Sequence, residues 1–94
     1  MRTKETFAVY VFDTTTDALA MEAWCRENGV PGRLIPLPQE ISAGCGLAFR
    51  MTPQDDEKYR SALEASGRKF AGVHSVQQFV LRDQGEERKR DDYS

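Results

Sequence analysis

The alternation of apolar and polar positions predicts a strand, a helix, two strands, a helix and a strand. Thr6–Phe12 is rich in β-branched and aromatic residues and is apolar on both faces, which is typical of a central strand. Arg33–Leu37 also predicts a strand, but Pro36 and Pro38 cannot donate hydrogen bonds to a neighbour, so we expect it at an edge. Leu47–Met51 alternates as a half-buried strand does.

Two segments between these strands predict helices. Asp17–Asn28 follows a run of residues suited to the N-cap, and Gly29 closes it. The second helix begins after Thr52, which serves as an N-cap and is followed by a proline and three acidic residues. Gly67 ends this helix.

The last strand completes a recognisable order of elements. Phe70–Val73 and Val76–Leu81 predict that strand, with an interruption near 74–75. The order β-α-β-β-α-β predicts an α+β, ferredoxin-like sandwich: a four-stranded antiparallel sheet with two helices on one face. Right-handed crossovers place the first and third strands in the centre. The other face of the sheet is then open to a partner, and we expect Tyr10 and Phe12 to contribute to it.

The charges separate a neutral body from a charged end. Among 94 residues, 13 are basic and 15 acidic, and residues 83–94 hold five of the acids and three of the bases. We therefore predict one ferredoxin-like domain over residues 6–82 and a disordered, charged tail over 83–94. The longest apolar run, Phe7–Phe12, is far shorter than the roughly 20 residues that span a bilayer. No targeting or lipidation pattern is present, so we expect a soluble, cytoplasmic protein without a membrane partner.

The stretch between the second and third strands contains the candidate chemistry. Cys45 lies between Gly44 and Gly46, which permit unusual backbone conformations and the close approach of a second molecule. Successive backbone N–H groups in such a turn favour an anion, and Arg33 and Arg50 flank the loop in sequence. Sulfur transfer requires an accessible, ionised sulfur of this kind. The alternative is a buried, unreactive cysteine in a tight turn.

The remaining polar and sulfur-containing side chains favour structural interpretations. Cys25 lies among apolar positions of the first helix and is expected in the core, with a resolving partner for Cys45 as the minor alternative. One histidine, His74, makes no metal site. The acids at 55–57 complement the helix dipole. No phosphate loop, catalytic triad or carboxylate pair is present.

The loop sequence resembles that of a small bacterial family. Residues 35–46 run Ile-Pro-Leu-Pro-Gln-Glu-Ile-Ser-Ala-Gly-Cys-Gly, and the strand that follows ends in Arg50. This is similar to the selenium/sulfur carrier protein-like family, which usually shows Ile-Pro-x-Pro-Arg-x-Ile-Ser-x-Gly-Cys-Gly before an arginine-ended strand. The resemblance covers about residues 6–75 and is specific in this segment. Gln39 stands where the family commonly has arginine.

The resemblance implies a non-enzymatic carrier or accessory protein for sulfur or selenium. Cys45 would be the carrier thiol, reactive enough to hold a persulfide or perselenide and to pass it to an acceptor protein. Ser42 and the amides of the bend at Gly44 and Gly46 would bind the anion, and Arg50 would screen it. The implied donor is of the cysteine-desulfurase type, and neither a metal nor an organic cofactor is needed.

Two other functions stay open. A non-catalytic module would bind a ligand or a protein through its open sheet face or the 38–46 loop, with a homodimer across that face or the edge strand as one form. A nucleic-acid-binding module would use Tyr10 and Phe12 as stacking aromatics, but the basic surroundings of such domains are missing, so we expect no nucleic-acid partner.

Overall fold

The computed structural model describes residues 2–41 and 44–81 and confirms the predicted α+β, ferredoxin-like fold. All strand pairs are antiparallel, and the sheet order is β2-β3-β1-β4. The predicted tail over 83–94 lies outside the described residues. Neither helix in the described part of the chain is long and apolar enough to cross a membrane. The elements are β1 Arg2–Val11, α1 Thr15–Glu27, β2 Arg33–Pro36, β3 Leu47–Met51, α2 Pro53–Ala65 and β4 Gly72–Leu81.

Both helices begin at a threonine that caps the first turn. The hydroxyl of Thr14 accepts a hydrogen bond from the backbone N–H of Asp17 at 3.1 Å, so α1 begins two residues earlier than predicted. Thr52 accepts in the same way from Asp55 at 3.1 Å, and Pro53 occupies the first turn as its fixed φ allows.

β4 is continuous, so the predicted interruption near 74–75 is wrong. Ten consecutive residues pair with β1, from Leu81 opposite Arg2 to Gly72 opposite Val11. The polar His74 and Ser75 do not break the strand because both side chains are exposed at the edge of the sheet. The length of β4 also extends β1 to Arg2, since it supplies partners for the polar residues that precede the apolar run.

The expected orientation of β1 is also wrong. Tyr10 and Phe12 are 0% exposed and pack in the core beneath the helices, with Met21 of α1 and Leu63 of α2. The alternation of a strand then directs Phe7, Val9 and Val11 to the opposite face. Because β1 is apolar on both faces, its sequence does not reveal which set faces the helices. This burial removes the proposed nucleic-acid stacking surface.

The sheet face opposite the helices has a cover of its own. Phe7, Val9 and Val11 form a second buried cluster there with Ala48 and Val76. Ile41 completes this cluster, and Leu37 packs against it. Both residues belong to the segment between β2 and β3, so the candidate loop folds onto the sheet face that was expected to be open.

Candidate functional site

Backbone hydrogen bonds anchor the bend around Cys45 on two sides. The N–H of Cys45 donates to the carbonyl oxygen of Phe12 at 3.0 Å, just after β1. The carbonyl oxygen of Gly46 accepts from the N–H of Leu37 at 2.9 Å, which continues the β2–β3 pairing into the loop. The cysteine is therefore held by the ends of strands rather than on a free tip.

The two positions of the bend require glycine for different structural reasons. Gly44 has φ +121°, and a Cβ there would lie 3.1 Å from the carbonyl oxygen of Phe12. Gly46 has φ +98°, a conformation that favours glycine, but a Cβ would meet open space. Gly44 thus permits the contact between the bend and β1, whereas Gly46 permits the turn into β3.

Alanine substitutions should separate these two reasons. Gly46→Ala is expected to cost about 1–2 kcal/mol of unfolding free energy, because of backbone strain alone. Gly44→Ala should cost more, since its Cβ also crowds the oxygen of Phe12. Gly67 provides the control, with φ +82° and open space around its Cβ at the end of α2. Urea unfolding measures the three losses, and a Gly44→Ala loss no larger than that of Gly67→Ala would contradict this assignment.

Cys45 lies at the boundary between the core and the surface. The residue is partly buried and packs against the edge of the helix-side core. Its thiol donates to the carbonyl oxygen of Leu47, with Sγ 3.7 Å from that oxygen. The residue is therefore neither enclosed in the core nor fully exposed, and its thiol is oriented by the carbonyl oxygen of Leu47, the first residue of β3.

The groups expected to bind an anion beside Cys45 are the hydroxyl of Ser42 and the amides of the bend. The N–H of Cys45 is already engaged with Phe12, so this amide does not face a ligand in the present conformation. Ser42 lies outside the described residues, and its role stays a prediction. The bend positions the sulfur, and anion binding by the amides of Gly44 and Gly46 stays a prediction.

The structure does not bring Arg50 to the sulfur. Arg50 lies three residues along β3 from Leu47, a distance of about 10 Å. It points away from the helices, because Phe49 and Met51 on either side face them. Its Nη1 donates to Oε1 of Gln78 at 2.9 Å, and its guanidinium lies 4.2 Å from the ring centroid of Phe7.

Arg33 lies directly opposite Arg50 in the β2–β3 pair. The two arginines that flank the loop in sequence are thus cross-strand neighbours at the end of the hairpin away from Cys45. Burial, and then the charge of Arg33, lower the pKa of Arg50, while the charge of Glu5 opposes them. The screening role assigned to Arg50 stays a prediction, and it requires the guanidinium to leave Gln78.

Cys25 occupies the environment predicted for it. The residue is 1% exposed within α1 and belongs to the helix-side core. Burial raises the pKa of its thiol to about 11, because the thiolate is disfavoured away from water. The two cysteines of the chain therefore differ in access to solvent, and Cys45 is the accessible one.

Away from Cys45, a polar cluster joins α2 to the sheet, and the sequence did not predict it. The hydroxyl of Tyr10 donates to Oδ1 of Asp56 at 2.5 Å. Arg60 donates to both carboxylate oxygens, with Nε 2.9 Å from Oδ1 and Nη2 2.6 Å from Oδ2. The sequence indicated only a helix-dipole role for Asp56. The i, i+4 spacing of Asp56 and Arg60 signals their ion pair, but nothing local signals Tyr10.

Comparison with known proteins gives one family. Residues 8–75 match the family model described as "Putative Se/S carrier protein-like". The matched range spans every element from the apolar part of β1 to the middle of β4, and it includes the bend at Cys45. No curated protein and no solved structure matches the sequence.

Proposed function

The chain belongs to the Se/S carrier protein-like family, and on that premise we propose that it carries sulfur or selenium on Cys45. The bound form is a persulfide, or the corresponding selenium adduct, and the protein acts as a carrier rather than as an enzyme. The observation that supports this proposal is the contrast between its two thiols. Cys25 is enclosed in the core, whereas Cys45 reaches the surface on a bend anchored to β1 and β2.

The transfer of sulfur requires two displacements at divalent sulfur. The Cys45 thiolate attacks the outer sulfur of a donor persulfide, so the new S–S bond forms as the old one breaks and the donor leaves as a thiolate. The outer sulfur keeps its proton, and Cys45 becomes a persulfide. An acceptor thiolate then attacks the same outer sulfur and releases the Cys45 thiolate. Neither step has a net oxidant or reductant, because the sulfur moves at constant oxidation state.

The position of Cys45 suits a group that must be both held and released. A persulfide on a fully exposed residue would exchange with any small thiol, whereas one on a buried residue would not reach an acceptor. Cys45 is intermediate, with one side of the residue packed against the helix-side core. The anchored backbone at Phe12 and Leu37 then presents the outer sulfur in a limited set of directions.

The partners follow from this chemistry. The donor is a persulfide-bearing enzyme of the cysteine-desulfurase type, and the acceptor is a protein with an attacking thiol or an equivalent nucleophile. Ser42 is proposed to hydrogen-bond the terminal sulfur. Within the described residues no second thiol is exposed beside Cys45, so the acceptor nucleophile is expected from another molecule.

The loading step tests the proposal. The full chain is incubated with an active cysteine desulfurase and cysteine, and intact mass is recorded without reductant. We expect an added sulfur atom on the wild type and on Cys25→Ser, but none on Cys45→Ser. Reductant should remove the added mass. Equal loading of Cys45→Ser and the wild type, or no loading while the desulfurase turns over, would contradict the proposal.

A further inference from the structure

The outer edge of β4 lacks the features that normally protect an edge strand. β4 and β2 are the two edges of the sheet. β4 pairs with β1 along ten consecutive residues without a bulge, and it contains no Asp, Glu, Lys, Arg or Pro. Edge strands are usually protected by charges, prolines, bulges or short length, because their unpaired backbone groups otherwise pair with another chain.

β2, at the opposite edge, has such protection. It is four residues long, it begins with the charged Arg33 and it ends with Pro36. The difference between the two edges indicates that β4 is the edge suited to pairing with a further strand.

Phe79 projects from this unprotected edge. It is 60% exposed, and the ammonium of Lys4 lies 5.5 Å from the centroid of its ring. Phe79 pairs with Lys4 and Ser75 pairs with Ala8, so Phe79 and Ser75 share the sheet face that carries the helices. Ala8, the partner of Ser75, lies in the core beneath the helices. Phe79 lies four residues after Ser75 in β4, and its side chain is exposed to solvent.

A hollow of about 250 Å³ lies on the same face of the sheet. It opens between the β1–β4 pair and the first turns of α2, beside Ser75. Its volume is sufficient for an aromatic side chain, and its walls combine apolar residues with the ion pair of Asp56 and Arg60. The residues that line it include Ala8, Val73, Ser75, Pro53, Asp56 and Arg60.

We propose that a second copy of this chain pairs antiparallel with β4 about a two-fold axis at Gln77. In that register Gln77 faces its own counterpart, and Phe79 lies opposite Ser75 of the second copy. Directly opposite residues of an antiparallel pair share a face, so each Phe79 ring enters the hollow of the other copy. The two sheets then form one eight-stranded sheet.

The positions of Phe79 and the hollow favour a second copy over an unrelated strand. The projecting ring and the hollow lie on the same face of the same edge, four residues apart. A two-fold axis midway between Phe79 and Ser75 fills both hollows with one operation, as an isologous interface requires. The charge-free sequence of β4 also pairs with itself without placing like charges opposite each other.

Sedimentation equilibrium of the full chain tests the surface. The wild type is expected to be a dimer, and Phe79→Asp should weaken the dimer about tenfold or more, since it replaces the aromatic contact on each side of the two-fold axis with a charge. The matched control is Leu19→Asp. Leu19 is the other exposed large apolar residue of the described chain, at 49%, and it lies on α1, which packs on β2 and β3. A monomeric wild type, or equal weakening by both substitutions, would overturn the proposal.

Charge pairs at Gln77 test the register. Gln77→Lys and Gln77→Glu should each weaken self-association, because the two-fold axis places like charges opposite each other. An equimolar mixture of the two variants should restore a dimer. Thermal unfolding followed by circular dichroism verifies that each variant is folded. A mixture no tighter than the separate variants, or wild-type assemblies larger than a dimer, would overturn this pairing. None of these outcomes depends on sulfur loading at Cys45.

Discussion

In the folded protein at neutral pH, a thiol-alkylating reagent should modify Cys45. Cys25 should react at least about a hundredfold more slowly in the folded protein than it does in urea. Burial raises the pKa of Cys25 from 9.0 to about 11, which lowers its thiolate fraction at neutral pH about a hundredfold. Its 1% exposure adds a second barrier, since the reagent must wait for the core to open.

Peptide mass mapping after timed quenching measures both rates in one sample. Cys45→Ser should abolish the fast modification of the folded protein, and Cys25→Ser should leave the rate of that modification unchanged. Rapid modification of Cys25 in the native state would contradict the assignment of the two thiols. Full protection of Cys45 would contradict the accessibility on which the carrier proposal depends.

Asp56→Ala should lower the free energy of unfolding by about 2–3 kcal/mol. The substitution leaves the hydroxyl of Tyr10, whose residue is 0% exposed, without its acceptor, and it removes both hydrogen bonds of Arg60. Asp55→Ala is the matched control in the same helical turn, where the loss is limited to a few tenths of a kcal/mol from the helix dipole. Urea unfolding should separate the two variants clearly.

A double variant isolates the buried hydroxyl in this cluster. Tyr10→Phe removes the donor, so Asp56→Ala should cost less in the Tyr10→Phe background than in the wild type. Equal costs of Asp56→Ala in the two backgrounds, or equal costs of Asp55→Ala and Asp56→Ala, would show that the cluster does not hold α2 on the sheet.

The same cluster sets the pH dependence of stability. Burial raises the pKa of Asp56, but hydrogen bonds from Arg60 and Tyr10 and the charge of Arg60 outweigh it, so the pKa lies below its usual value. This contribution is present above the unfolded pKa, about 3.9, and is lost as pH falls through the folded value. The wild type should therefore lose more stability than Asp56→Ala between neutral pH and about pH 2–3.

The contribution of Tyr10 to stability depends on pH in the opposite direction to that of Asp56. Burial, and then the hydrogen bond and charge of Asp56, raise its pKa above the ordinary value. Its contribution to stability is complete below about pH 10, the unfolded pKa, and is lost as pH rises above that value. The protein should lose stability as pH rises above about 10, and the absorbance of the tyrosinate measures the accompanying ionisation.

The fold was predictable because its signals are local. The order of elements follows from apolar periodicity and from N-caps such as Thr52, each of which acts within a few residues. The orientation of β1 was not predictable, because both of its faces are apolar and the choice depends on packing against α1 and α2. The continuity of β4 through His74 depends on its pairing with β1, which no local pattern records.

The candidate site was predictable only in part. The glycine pattern correctly indicated an unusual backbone at Gly44 and Gly46. It did not reveal that the carbonyl oxygen of Phe12 occupies the N–H of Cys45, since these residues meet only after β1 and β3 pair. The proximity of Arg50 to Cys45 in sequence was misleading, because a strand extends about 3.3 Å per residue and alternates its side chains between faces.

The path of one labelled sulfur atom tests the carrier proposal most directly. The chain is loaded from heavy-sulfur cysteine by a cysteine desulfurase, separated from the donor, and then mixed with a thiol acceptor. Peptide mapping should find the label first on Cys45 and then on the acceptor, with the Cys45 thiol regenerated. Label on Cys25, label on neither cysteine, or label retained on Cys45 in the presence of the acceptor would contradict the proposal.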